Sequence, residues 1–183
     1  MPRKKPEKID KVLFWNIIIL VIVGFIIFLS ETLGLTARDS VKHSSIIIKQ
    51  IVLGIGFGGI ACYFFSKMHY LHLRKYAFWI FIAALLLTLT VFIPGLGFSS
   101  GGATRWLNIG PFSFQPSEFL KIAFVLYLAT WFTTAKKRVR EAKYGLLPFG
   151  IVCALTAFVM LIQPDTDTLI VMIISGLAMY LVA

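Results

Sequence analysis

The sequence has few charged residues. Only 14% of its 183 residues are Asp, Glu, Lys or Arg, against about a quarter in soluble domains, whereas 58% are hydrophobic. This balance excludes an ordinary soluble domain and predicts a membrane protein. Cysteine is also scarce, and both copies, Cys62 and Cys153, fall within apolar runs. A thiol there behaves as a small hydrophobe, so the sequence predicts neither a disulfide framework nor a metal site.

The sequence contains several long apolar runs. A bilayer core needs about 20 mostly apolar residues per helix, and six runs approach that length. The predicted fold class is therefore all-α, a polytopic transmembrane helical bundle. Because the sixth run stops while still apolar, we interpret the sequence as the amino-terminal part of a longer protein. The runs are Val12–Ser30, Ile46–Ser66, Ala77–Pro94, Ser117–Thr134, Leu146–Ile162 and Thr168–Ala183.

The basic residues are concentrated on one predicted side of the membrane. Residues 1–11 form a basic tail before the transmembrane domain of residues 12–183, and the loops after the second and fourth runs are also basic. The positive-inside rule therefore places the amino terminus in the cytoplasm. This orientation explains the formal charge of +10 without nucleic acid as a partner. The opposite loops carry only Arg38, Lys42 and Arg105 as basic residues.

The segment between the third and fourth runs, residues 95–121, is neither plainly polar nor plainly apolar. Its glycines and serines favour bends, whereas its aromatic residues favour the headgroup boundary. We expect a loop that lies on or dips into the outer interface. The sequence at residues 108–111 is typical of a tight reversal, which would fold Arg105 and Trp106 back towards Gln115 and Glu118.

Glu118 and Lys121 lie three residues apart at the start of the fourth run and would share a helix face. A lysine below the headgroups costs about 3 kcal/mol to insert, and an ion pair at about 4 Å offsets much of that cost. We therefore predict a buried pair in an outward-facing polar pocket close to Asp165. Two interpretations remain open: the pair holds helices together, or it lines a cavity used by substrate.

Asp165 and Asp167 follow Gln163-Pro164 at the outer end of the fifth run, on the same predicted side as Arg105. Either carboxylate could cap the sixth helix. Either could also complete a site with the residues of the preceding outer segment. The two roles are compatible, and the sequence leaves both open.

Two stretches resemble signatures of one protein family. Residues 102–110 and 112–121, followed later by residues 163–165, are similar to motifs of the shape, elongation, division and sporulation (SEDS) proteins, the FtsW, RodA and SpoVE group. The pair at residues 49–50 resembles another motif that recurs in this family. The sequence departs from the family pattern at Asp167, where glycine is usual.

The resemblance implies a peptidoglycan glycosyltransferase with ten spans in the bacterial inner membrane, which polymerises lipid II during cell division or elongation. It also implies a catalytic aspartate in an outer loop after the seventh span. The sequence does not reach that loop, so we expect these residues alone to be inactive. The candidate substrate-binding residues are Arg105, Trp106, Glu118 and Lys121 from the resemblance, with Gln115 and Asp165 from their predicted position beside them.

The chemistry of glycosyl transfer requires neutralisation of the leaving diphosphate, and Arg105 and Lys121 are candidates for that role. The one cofactor considered is a divalent cation that bridges the diphosphate. The expected partners are lipid II, a class B penicillin-binding transpeptidase, and other divisome or elongasome proteins. Alternative functions are a lipid II flippase and a non-catalytic membrane partner of the transpeptidase. The apolar middles of the spans favour the enzyme over the flippase.

Overall fold

The computed structural model describes residues 10–35, 50–100, 103–109 and 112–183. It divides into two compact units, one ending at Met68 and one running from His69 to Ala183, and each is described by itself. Several predictions concern residues outside the described ranges. These are the basic tail up to residue 9, Arg38, Lys42, Lys49, and parts of the outer segment at residues 101–102 and 110–111.

The first unit contains two helical stretches. Helix α1 spans Lys11–Leu35, and the Asp10 carboxylate caps it by accepting hydrogen bonds from the backbone N–H groups of Val12 and Leu13 at 2.9 and 3.2 Å. The apolar window of α1 has a mean hydropathy of 3.0, and no part of it is buried by protein. A helix that is apolar on all sides is typical of a membrane span. The second stretch is a π-helical segment, Gln50–Phe57, that continues into α2, Gly58–Lys67.

The second unit contains four further α-helices. Helix α3 spans Tyr70–Leu89 and ends in a 3₁₀ turn, Thr90–Phe92; α4 spans Pro116–Ala135. A 3₁₀ segment, Lys136–Arg140, and a π-helical turn, Ala142–Leu146, lead into α5, Leu147–Ile162, and α6 spans Thr166–Val182. With α1, the described residues contain four helices long and apolar enough to cross a membrane, while α6 is shorter. The predicted polytopic helical bundle is confirmed.

The third predicted span began too late. The structure starts this helix at Tyr70 and not at Ala77, so Arg74 and Lys75 lie within the helix and not in a loop before it. The apolar run marks only the part of the helix that suits hydrocarbon, and the helix extends past it. Its first turns are attached to the bundle, because the Arg74 guanidinium Nη2 donates a hydrogen bond to the Thr134 hydroxyl at 3.2 Å.

The apolar core lies between α3, α4, α5 and α6. Gly176 on α6 allows close packing, because a Cβ atom there would lie 3.1 Å from ring atoms of both Phe124 and Phe149. Burial of these apolar side chains against one another fixes how the four helices are arranged. The largest buried core side chains are Phe81, Leu120, Phe124, Leu128, Met160 and Met172.

One end of the second unit is closed by aromatic packing, which we call the basic-end cluster: Phe132, Val139, Gly145, Phe149 and Tyr180. The Phe149 and Tyr180 rings stack at 5.3 Å, and the Phe132 ring contacts Tyr180 edge-on at 5.8 Å. Val139 is buried and its carbonyl accepts a hydrogen bond from the Tyr180 hydroxyl at 3.4 Å. Gly145 lies directly against the Val139 backbone, where a Cβ atom would overlap the carbonyl oxygen.

The opposite end carries a small sheet where the sequence predicted a loop, and that prediction was wrong. Strands β1, Gly97–Ser100, β2, Ala103–Ile109, and β3, Phe112–Phe114, pair antiparallel in the order β1-β2-β3. The pattern along β2 has a period of two, since Ala103 and Leu107 are buried and Trp106 is exposed. The predicted reversal at residues 108–111 is confirmed, because Ile109 pairs with Phe112 across a hairpin.

Candidate functional site

Three chain segments meet at the sheet end of the second unit. Strand β2 contributes Arg105, the start of α4 contributes Ser117, and the start of α6 follows Asp165. Pro116 occupies the first position of α4, where its fixed φ suits a helix and its missing N–H costs nothing. Gln115 immediately precedes this helix start and joins it to the hairpin.

The Asp165 carboxylate is the centre of a set of polar residues that we call the Asp165 cluster: Arg105, Gln115, Ser117 and Asp165. One carboxylate oxygen accepts a hydrogen bond from Arg105 Nη1 at 3.3 Å. The other accepts from Gln115 Nε2 at 2.9 Å and from the Ser117 hydroxyl at 3.1 Å. Asp165 is 1% exposed, so its charge would be costly without these donors. The cluster meets that requirement with three hydrogen bonds, one of them to a cation.

The capping role considered for Asp165 is not found for its side chain. Asp165 occupies the N-cap position of α6, yet the carboxylate makes no capping hydrogen bond and faces the Asp165 cluster instead. Asp167 lies in the first turn of the same helix and is exposed. A negative charge at that position favours the helix through the positive end of its dipole. The two acids, only two residues apart, therefore have different environments.

Glu118 and Lys121 form the predicted ion pair, with the ammonium nitrogen 2.8 Å from a carboxylate oxygen. The prediction that the pair is buried was wrong, because the Glu118 side chain is 56% exposed and that of Lys121 is 31% exposed. The spacing along one helix explains the pairing, whereas burial depends on what neighbouring segments cover. Arg105, which was expected close to this pair, forms its ion pair with Asp165, with 3.3 Å between Nη1 and the carboxylate oxygen.

Trp106 lies outside the Asp165 cluster. Successive side chains of a strand point to opposite faces, so Trp106 and Arg105 lie on different faces of the sheet. Trp106 is opposite Phe98 in the strand register, and both rings are exposed. The structure therefore brings Arg105 together with Asp165 and places Trp106 on an aromatic outer surface of the same hairpin.

Two residues of this region lie in the family-like motifs but were not among the predicted site residues. Ser117 is fully buried and donates to Asp165. Gln163 is 1% exposed, and its Nε2 atom donates to the Thr88 carbonyl at 2.6 Å, at the point where α3 tightens into its 3₁₀ turn. The Gln163 Oε1 atom has no hydrogen-bond partner among the described residues. A serine just inside a helix start usually indicates local capping, so the sequence carried no signal for the long-range contact of Ser117.

The described residues at this end contain few side chains that could ligate a divalent cation. Among the described parts of the chain, no three His, Cys, Asp or Glu side chains come together in a group that could hold a metal ion. Both oxygens of the Asp165 carboxylate already accept hydrogen bonds from protein donors. The divalent cation considered from the sequence, which would bridge the lipid diphosphate, stays a prediction, and no step is assigned to it.

The sequence matches a family model over residues 11–183, and this model describes the FtsW, RodA and SpoVE cell cycle proteins. The chain belongs to this family. The match covers the hairpin, the Asp165 cluster and every described helix. It confirms the resemblance to SEDS proteins that the sequence motifs indicated.

Individual relatives agree with the family match. The chain is 28% identical, over 93% of its length, to a probable peptidoglycan glycosyltransferase FtsW of Aromatoleum aromaticum. Its fold is similar to the crystal structure of a mutant of the Thermus thermophilus rod shape determining protein RodA, with a TM-score of 0.68, 26% identity and 89% of the chain covered. A chain of a peptidoglycan synthase complex that coordinates polymerization and crosslinking has the same fold, with a TM-score of 0.67, 24% identity and 87% covered.

The chain spans half or less of the length of these relatives. It covers 42% of the FtsW protein, 50% of the RodA chain and 44% of the chain from the synthase complex. The described SEDS fold therefore corresponds to part of the relatives' fold, and the Asp165 cluster lies within that shared part.

Proposed function

We propose that the protein carrying this sequence is a peptidoglycan glycosyltransferase that polymerises lipid II at the outer face of the bacterial inner membrane. The observation that carries the proposal is the family match over residues 11–183 together with a glycosyltransferase relative. Basic residues of the second unit lie in the first turns of α3 and between α4 and α5, as at Arg138 and Arg140, whereas the Asp165 cluster lies at the starts of α4 and α6. The positive-inside rule then gives the cluster an outward location.

The proposed chemistry is electrostatic support for the leaving lipid diphosphate. Arg105 is bound to Asp165 through one nitrogen and keeps 28% of its side chain exposed, so further N–H donors can reach an anionic ligand. Lys121 is 31% exposed and can add a second cation. Positive groups aimed at developing negative charge lower the barrier for group transfer. Neither Arg105 nor Lys121 is proposed as the base that takes the proton of the acceptor hydroxyl.

Trp106 and Phe98 are proposed to hold the hairpin at the membrane interface. Both aromatic side chains are exposed on one face of the sheet. Tryptophan and other aromatic residues favour the headgroup region, where an apolar ring and a polar edge are both solvated. This placement would keep Arg105 at the depth of a lipid-linked diphosphate.

A class B penicillin-binding transpeptidase is the proposed protein partner. Its support is the shared fold with a chain of a peptidoglycan synthase complex that coordinates polymerization and crosslinking. The role in division or in elongation is open between the FtsW-like and RodA-like relatives. The amino terminus is proposed to be cytoplasmic. Reporter fusions after Lys143 should then read cytoplasmic, whereas fusions after Gly101 should read external.

Reconstitution with lipid II tests the proposed activity. The protein and its transpeptidase partner are placed in vesicles with lipid II, and glycan strands are separated by gel electrophoresis. The wild type should form strands, Lys121→Ala should form fewer, and Lys75→Ala, which removes an exposed lysine at the opposite end of the unit, should match the wild type. Movement of lipid II between leaflets without strands would instead support a flippase.

A further inference from the structure

The Asp165 carboxylate is enclosed by protein donors. Its two oxygens accept hydrogen bonds from Arg105 on β2, from Gln115 just before α4 and from Ser117 in the first turn of α4. We propose that Asp165 is a positioning residue, which acts on an anionic diphosphate ligand only through Arg105 and does not contact that ligand itself. The inference rests on the proposed function and assigns separate roles to two residues of the site.

Burial separates the two partners of this ion pair. Asp165 is 1% exposed, whereas the Arg105 side chain is 28% exposed. A ligand can therefore reach the guanidinium but not the carboxylate. Arginine carries five N–H donors, and the described structure uses one of them on Asp165. The remaining donors are available to phosphate oxygens, which arginine binds well because its planar fork matches their geometry.

The backbone around Asp165, between α5 and α6, is held by several hydrogen bonds. The Asp165 backbone N–H donates to the Met160 carbonyl at 2.9 Å, and its own carbonyl accepts from the Leu169 N–H at 3.2 Å. Two residues earlier, Gln163 donates to the Thr88 carbonyl at 2.6 Å, which ties the same segment to the end of α3. A group fixed from both sides can hold a flexible partner in one geometry, as supporting residues around catalytic sites do.

Preorganisation of Arg105 is the physical benefit of this arrangement. An unrestrained arginine occupies many rotamers, and a ligand must then fix the side chain at the moment of binding. The ion pair with Asp165 restricts the guanidinium before the ligand arrives. The effect should be greatest in the transition state, when negative charge develops on the leaving diphosphate.

A double-mutant cycle on the full-length protein with its partner tests this assignment. The variants are Asp165→Asn, Arg105→Gln and the double variant, and Asp167→Asn is the control because it removes the same charge from an exposed site two residues away. For each protein, glycan polymerisation is measured against lipid II concentration to separate kcat from KM. Thermal unfolding is measured on the same preparations.

The positioning role predicts non-additive kinetics. Asp165→Asn and Arg105→Gln should each lower kcat about tenfold with KM changed less, and the double variant should be no worse than Arg105→Gln alone. Asp167→Asn should stay within about twofold of the wild type. An additive loss in the double variant would show that Asp165 contacts the ligand directly and would overturn the proposal.

The thermal data distinguish positioning from a structural role. Arg105→Gln leaves a buried carboxylate without its cation, so it should melt at a lower temperature than the double variant, in which that charge is also removed. Restored stability with restored activity in the double variant would reduce the pair to a structural contact and defeat the proposal. Equal melting temperatures in Arg105→Gln and the double variant would also defeat it. Failure of the wild type to make strands would reject the proposed function, whereas the melting temperatures would still report on the pair.

Discussion

The two ends of the second unit are held together by different forces. The Asp165 cluster joins its segments through a buried charge and directed hydrogen bonds, whereas the basic-end cluster joins its segments through ring stacking and close backbone contact. Added atoms should destabilise the closely packed basic-end cluster, whereas loss of a hydrogen-bond donor should destabilise the buried charge of the Asp165 cluster. The basic-end cluster needs no role beyond stability. Burying the charged residues of the Asp165 cluster costs free energy, and charged residues at membrane depth usually have a function, so we place the functional site there.

The strongest disruption is expected from Gly145→Ala at the basic-end cluster. The added methyl group would overlap the Val139 carbonyl, and both groups belong to backbone that cannot move aside easily. We expect a loss of about 3 kcal/mol in the free energy of unfolding, seen as a lower melting temperature in detergent. Gly150→Ala is the control, because a Cβ atom there meets no atom within 4 Å. Equal melting temperatures for the two variants would show that this end is looser than its packing indicates.

An intermediate effect is expected from Ser117→Ala in the Asp165 cluster. The change removes one of three donors to a buried carboxylate without adding volume, so we expect a loss of about 1 to 3 kcal/mol in the free energy of unfolding. Ser175→Ala is the matched control, since that exposed hydroxyl donates only to the Val171 carbonyl of its own helix at 2.7 Å. If both variants lose the same free energy of unfolding, the hydrogen bond from Ser117 to Asp165 adds no more to stability than an ordinary hydroxyl within a helix.

The smallest effect on stability is expected from Glu118→Ala. Its ion pair with Lys121 is exposed, so its loss should change the free energy of unfolding by about 1 kcal/mol or less. A buried pair would have cost about 3 to 5 kcal/mol. Unfolding and polymerisation are measured together, with Glu118→Gln as a variant of equal size. A large fall in melting temperature would mean that the pair is buried in the intact protein.

The sequence predicts the helices well because hydropathy and length decide them. The apolar runs correspond to α1 and α4 with small differences at their ends, since a membrane span must satisfy its own backbone hydrogen bonds. The start of α3 was missed because Tyr70, Arg74 and Lys75 are helical without being apolar. Hydropathy marks where a helix meets lipid and not where its hydrogen bonds begin.

The candidate site was predicted in part. Alternation of the spans placed Arg105 and Asp165 on one side, and the structure brings them into contact at 3.3 Å. The contact of Ser117 with Asp165 could not be predicted, because it depends on how α4 and α6 pack and not on any local pattern. The sheet was missed because the glycines and serines in and around β1 were interpreted as bends, although β2 itself alternates between buried and exposed residues.

The Arg105–Asp165 pair also affects the order in which the protein can fold. The two residues are 60 positions apart, and both α4 and α5 lie between them in the chain. During synthesis from the amino terminus, the hairpin emerges first, and Asp165 follows only after two more helices have been made. The ion pair between the hairpin and Asp165 therefore forms late, when the segment before α6 has been made. Until that step, Arg105 lacks its native carboxylate, so completion of this end of the unit waits for the start of α6.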